Sequence, residues 1–176
     1  MGNQYKVLSP QKYLFIKFKG VFDFEKVYNE TAKWFKTRSF EFHEYQLKER
    51  DPTIGETEFF WQGWRDDTEW MRIWIDVYAR MWDQTPVEVM QEGVKKTLLR
   101  ARIRFVFDAW IETDYENRFE TSKIFHSLRD YYDKVVYKKR IELYGDKIEY
   151  EVHELHELVK KTLGMEAAGD QFADMW

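Results

Sequence analysis

A chain of 176 residues has the length of one domain of roughly 150 residues with a short extension. Its 44 % hydrophobic and 19 % aromatic content excludes bulk disorder, and the absence of cysteine excludes a disulfide scaffold, a thiol nucleophile and any Cys-based zinc or iron–sulfur site. A net charge of −4 argues against a strong non-specific polyanion binder, whose affinity rests on many phosphate contacts.

Met1 to Leu8 (MGNQYKVL) contains no apolar run of signal-peptide length, and no stretch approaches the roughly 18 apolar residues of a membrane span, so a cytoplasmic protein without a membrane span is expected. Proline occurs only at Pro10, Pro52 and Pro86, and no repeat or low-complexity tract interrupts the chain. One continuous domain over residues 1–164 is therefore expected, followed by a flexible tail over 165–176.

Lys12 to Lys19 alternates aromatic and aliphatic with charged residues and predicts a strand ending at Gly20. Asp23 is placed to cap a helix running to about Arg38, and Phe40 to Lys48 predicts a second strand closed by the turn chemistry of Asp51-Pro52-Thr53-Ile54-Gly55. Three longer strand regions follow at Glu56–Arg65, Glu69–Trp82 and Leu98–Glu112, with a shorter one at Val87–Met90 turning at Glu92-Gly93.

Two of these strands carry the most information. In the first, Met71, Ile73, Ile75, Val77, Ala79 and Met81 form an aliphatic row, while Trp70, Arg72, Trp74, Asp76, Tyr78, Arg80 and Trp82 form the opposite one. The other strand repeats the design, with Leu99, Ala101, Ile103, Phe105, Phe107, Ala109 and Ile111 against Arg100, Arg102, Arg104, Asp108, Trp110 and Glu112. Because successive strand side chains point to opposite faces, this predicts one dry face and one face of aromatics alternating with charges. Gly63, between Trp61 and Trp64, marks a close backbone approach or a bulge.

Ser122 to Leu163 reads as helical, closed by Lys160, Lys161 and Gly164. The stripe Ile141, Tyr144, Ile148, Val152, Leu155, Val159 is out of phase with the stripe Phe125, Leu128, Tyr132, Val135, Val136, so a break or bend is expected near Gly145, or the two halves pack on different things.

The expected fold is α+β: a single antiparallel, curved sheet of about five to seven strands, one short helix after the first strand and a long C-terminal helix. The order from Lys12 to Leu163 is similar to the helix-grip fold of START-like proteins, in which a curved sheet wraps the final helix around an apolar ligand cavity. The chain departs from that family in having one helix rather than two after the first strand and in the length of its last helix. No residue motif accompanies the resemblance, so it transfers no site residue.

The candidate binding residues are those of the aromatic and arginine face: Trp64, Trp70, Arg72, Trp74, Tyr78, Arg80, Trp82, Arg100, Arg102, Arg104 and Trp110. Indole planes and guanidinium groups suit stacking on a flat partner, and also cation–π pairing within the sheet. His153 and His156 stand three apart rather than the four of a zinc-protease helix, and a solvated helix flank explains them better than metal. Ser122, His126 and Asp130 lie in line on one helix, which leaves no independent oxyanion donors, so no nucleophilic triad is inferred. Asp66-Asp67 and Glu112, Asp114, Glu116 fit turn and helix-start roles. No catalytic residue, metal or cofactor is assigned.

The reading is a non-catalytic binding or interaction protein that uses this sheet face and the long C-terminal helix to contact a protein partner or a second copy. The alternative is a module that binds an apolar small molecule or lipid between the aliphatic face and the last helix. Nucleic acid is not expected as a partner, given the charge.

Overall fold

The computed structural model describes residues 3–8, 14–51, 56–91, 94–116, 118 and 123–165. The chain runs β1 (Asn3–Lys6), β2 (Leu14–Phe22), α1 (Phe24–Thr37), β3 (Glu41–Asp51), β4 (Glu56–Asp66), β5 (Met71–Gln91), β6 (Val94–Thr113), α2 (Lys123–Tyr131), a π-helical turn (Tyr132–Val136) and α3 (Lys138–Thr162). The six strands form one curved antiparallel sheet in the order β1-β6-β5-β4-β3, with β2 also paired to β6. The α+β expectation holds, including the short helix and the long C-terminal one.

The aliphatic row forms the core. Ile75, Val77 and Ala79 on β5 and Phe105, Phe107 and Ala109 on β6 are fully buried, and Ile148, Val152 and Leu155 of α3 are buried in the same cluster. Helix α1 starts as expected, with the Asp23 side chain accepting from the Lys26 amide at 3.0 Å. Its Phe35 ring lies where a side chain at Gly63 would be, 2.4 Å from an ideal Cβ, so Gly63 is a close approach of helix to sheet and not a bulge. The sheet therefore has an inner face, on which these helices pack, and an outer face.

Several boundaries differ from the sequence expectation. Strand β2 continues through Gly20 to Phe22, because the Phe18 ring folds over the glycine and replaces the contacts a side chain would make. Strand β1 was not expected: its four residues, NQYK, carry no periodic apolar signal, and it forms only by pairing with the end of β6. The strand that ended at Trp82 and the separate one at Val87–Met90 are a single strand, β5, with a register shift between Trp82 and Thr85 where Asp83 takes φ 55°. The turns at 52–55 and 92–93 and the tail over 166–176 lie outside the described residues.

The helical break sits at Tyr132–Val136, not at Gly145. There the Tyr137 amide donates to the Tyr132 carbonyl at 2.9 Å, an i→i+5 bond that inserts an extra residue and absorbs the phase difference. Downstream, the stripe from Ile148 to Val159 is buried as expected. Upstream, the expectation reverses. Arg129 and Asp133 are buried, whereas Leu128, Tyr131, Tyr132, Val135 and Val136 are exposed.

Candidate functional site

The register turns the alternation along single strands into bands that cross the outer face. One band aligns Glu41, Trp64, Trp74, Trp110 and Lys6 on β3, β4, β5, β6 and β1. The next aligns His43, Gln62, Asp76 and Asp108, and after it come Tyr45, Phe60, Tyr78, Val106 and Phe15. Then Glu58, Arg80, Arg104 and Lys17 form a charged band, followed by Trp82, Arg102 and Lys19. Successive bands lie about 7 Å apart, two residues along a strand. Aromatic and polar or charged bands thus alternate over the first four, and the fifth sets one indole beside two cations.

Ten of the eleven candidate residues share this face; Trp70 does not. It precedes β5, is 8 % exposed, and packs edge-on against Tyr132 with centroids 5.2 Å apart while its Nε1–H donates to Asp133 at 2.9 Å. Extending the β5 alternation one residue too far had placed it with the others.

Nine of the ten fall into two groups, with Tyr78 in the band between them beside Phe60 and Val106. At one end Trp74 stacks on Trp110 with centroids 6.0 Å apart and planes 16° apart, and Trp64 leans on Trp74 at 6.3 Å. Arg72 lies over Trp64 at 4.2 Å and under Tyr115 at 4.3 Å, held by Asp66 through Nε at 2.6 Å and Nη2 at 3.1 Å. The Trp74 Nε1–H donates to Glu112 at 2.8 Å. This end covers itself, through the cation–π pairing that the sequence also allowed. The Trp110 Nε1–H is buried and meets no acceptor among the described residues.

At the other end, Arg100, Arg102 and Arg104 are exposed around a half-buried Trp82. Arg80 lies 5.1 Å from the Trp82 ring and is paired with Glu56 and Glu58. Between the groups, Asp76 faces Asp108 across β5 and β6. Burial, opposed by a hydrogen bond from Gln62 and reinforced by the Asp108 charge, pushes the Asp76 carboxyl up to about 6.

Sequence reasoning missed a polar cluster on the inner face. Asp133, 1 % exposed, accepts from Thr113 Oγ1 at 2.7 Å, Trp70 Nε1 at 2.9 Å, Asn3 Nδ2 at 3.0 Å and the Tyr5 hydroxyl at 3.1 Å. Burial and the neighbouring Asp133 charge push the Tyr5 phenol up to about 12. These four donors come from three segments far apart in the chain, β1, the residue before β5 and the end of β6, so no local spacing marks them. Nor does its own stretch mark Asp133, which is one of four charges there with Arg129, Asp130 and Lys134.

The remaining motifs resolve structurally. His156 is buried against the Phe107 ring at 5.5 Å, not solvated as expected, and burial holds its imidazole below the usual value; His153 is exposed. No group of three metal-ligating side chains occurs among the described residues. Asp67 pairs with Arg65 at 3.1 Å, and Asp114 takes φ 53° and accepts from the Arg118 amide, so these acids serve turns. Of the Ser122, His126, Asp130 line, Ser122 and the His126 side chain lie outside the described residues, and Asp130 accepts from Asn3. Among the described residues no helix is long and apolar enough to cross a membrane. No family model, curated protein or solved structure matches the chain.

Proposed function

We propose that the protein is a non-catalytic binding protein whose outer sheet face contacts a protein partner or a second copy of the chain. One observation carries the reading: aromatic bands cross the sheet on the face opposite the helices, with Tyr45 and Phe15 at their edges 49 % and 47 % exposed. Exposed aromatics joined to arginines are the composition of contact surfaces. The outward-facing Leu128, Tyr131, Val135 and Val136 favour the helical segment as a second contact surface, since a helix that buries its charged side and exposes its apolar side gains from being covered.

The apolar-ligand reading needs a cavity between the sheet and the last helix. Ile75, Val77, Ala79, Phe105, Phe107, Ala109, Ile148, Val152 and Leu155 are fully buried on both sides of that boundary, so no water-sized void borders them. The surface reading is therefore preferred.

Site-specific photo-cross-linking in the producing cells tests it, with the reactive residue placed at Tyr45, at Val135, or at the control position Lys33 on α1. Reproducible adducts of defined mass at Tyr45, with Lys33 silent, support the sheet face. Adducts at Val135 alone would move the contact to the helix, and silence at both would remove the reading.

A further inference from the structure

Strand β6 meets like charge on both sides. Lys17 lies directly opposite Arg104, Lys19 directly opposite Arg102, and Arg104 is in turn opposite Arg80. Like charges opposed across a strand pair work against the pairing. Arg80 is compensated by Glu56 and Glu58, and Arg102 by Asp83 at 2.5 Å. Among the described residues no carboxylate comes within ion-pair distance of Lys17, Lys19, Arg100 or Arg104. Nearby acids of the face are committed elsewhere: Asp108 to Lys6 at 2.9 Å, Glu112 to Trp74, Asp66 to Arg72. A chain of net charge −4 thus gathers at one corner four exposed cations without a carboxylate partner among the described residues, two of which, Lys17 and Arg104, lie over the Phe15 ring.

That corner is concave. Lys17, Lys19, Arg102 and Arg104, with the Trp82 indole and the chain neighbours Phe18 and Ile103, line a pocket of about 400 Å³. Ammonium and guanidinium groups are the protein's partners for phosphate oxygens, and an indole face is a platform for a flat heteroaromatic ring. We propose that this pocket binds a nucleoside di- or triphosphate, with the base stacked on Trp82 and the phosphates held by Lys17, Lys19 and Arg104. The volume falls within the roughly 300–1,000 Å³ range of small-ligand sites. An extended nucleic-acid strand is disfavoured, because about 13 Å along β5 and β6 from Arg80 and Arg104 the opposed Asp76 and Asp108 would meet its phosphates. The inference goes beyond the reading of the face as a macromolecular contact. Tyr45 lies outside this pocket, so cross-linking there decides one without deciding the other.

The test is titration of ATP and GTP into the full chain at low salt, followed by calorimetry and tryptophan fluorescence. Saturable binding with quenching is expected, weakened about tenfold or more by Trp82→Leu and by Lys19→Glu, and about tenfold weaker for inorganic tripolyphosphate, which lacks the ring. Both substitutions fall at positions that are not fully buried, and circular dichroism melts identify any variant that fails to fold; Arg104→Glu then replaces it. Absence of binding at ~1 mM nucleotide, affinity unchanged in the variants, or equal affinity for tripolyphosphate would each overturn the proposal. So would a ten-nucleotide single strand that outcompetes the mononucleotide.

Discussion

Asp76 and Asp108 oppose each other in the middle of a sheet, and the single hydrogen bond from Gln62 Nε2 at 2.9 Å leaves Asp76 short of the partners that a buried carboxylate needs. Its native carboxyl takes up a proton near pH 6, whereas in the unfolded chain it does so near the ordinary value of 3.8. Between those values the native state binds a proton that the unfolded state does not, so this group favours folding at low pH, and the benefit is lost as pH rises through 6. Asp76→Asn removes the charge and is expected to raise stability by about 1–2 kcal/mol at pH 8, with the gain fading below pH 6 and gone near pH 4. Urea unfolding of the two proteins across that range measures it, and a gain independent of pH would mean that the charge is not the cause. Asp133 is the opposite case, a buried acid with four donors. Asp133→Ala strands those donors, including the buried Thr113 hydroxyl, and is expected to cost about 3–5 kcal/mol. An unchanged urea midpoint would show that the cluster does not hold the π-helical turn to the sheet.

Two glycines separate the elements that were legible from those that were not. Gly63 sits under Phe35, so Gly63→Ala forces helix α1 off the sheet and is expected to cost about 1–3 kcal/mol. Gly145, where a helical break was expected, lies inside α3 with open space where a side chain would go. Gly145→Ala is therefore expected to stabilise by about 0.5–1 kcal/mol, whereas at a true break it would destabilise; thermal melts of both variants decide. The phase difference was readable because the stripes ending at Val136 and beginning at Ile141 do not fit one 3.6-residue helix. Its position was not, since a π turn needs no glycine and is set here by Asp133 reaching residues on β1, β6 and the segment before β5. The two sheet faces were legible for the same kind of reason: period two is a local property of β5 and β6. Which bands meet across the sheet is a property of register, and register appears only once strands pair. Trp70 and β1 escaped because each is placed by a distant partner rather than by its own neighbours.

At the scale of the whole molecule, the pairing pattern divides the sheet into a body and an arm. Strand β4 stops pairing with β5 at Met81, and β2 stops pairing with β6 at Leu99, so from Val87 to Thr97 the β5–β6 ladder has no third strand among the described residues. Pro86, which cannot donate to a ladder, is tolerated at the start of this arm because no further strand among the described residues asks for its hydrogen bond. On the β5 side of the arm Val87 and Val89 are half-buried and Glu88 and Met90 exposed, on the β6 side Lys95, Lys96 and Thr97 are all exposed, and the Lys96–Asp23 pair at 2.5 Å ties the arm to the start of α1. An isolated two-stranded ribbon is marginally stable in water, whereas the body rests on Phe105, Phe107 and the buried face of α3. Opening the arm therefore exposes little apolar surface, and opening the body requires global unfolding. Native-state hydrogen exchange is expected to show amides at residues 87–90 and 95–97 exchanging about 100-fold or more faster than those at 73–79 and 103–109. Asp23→Ala, which cuts the tie to Lys96, should speed the arm further while also weakening the α1 cap; Lys96→Ala cuts the same tie and spares the cap. Protection of the arm equal to that of the body would place both in one cooperative unit and contradict the division drawn from the register.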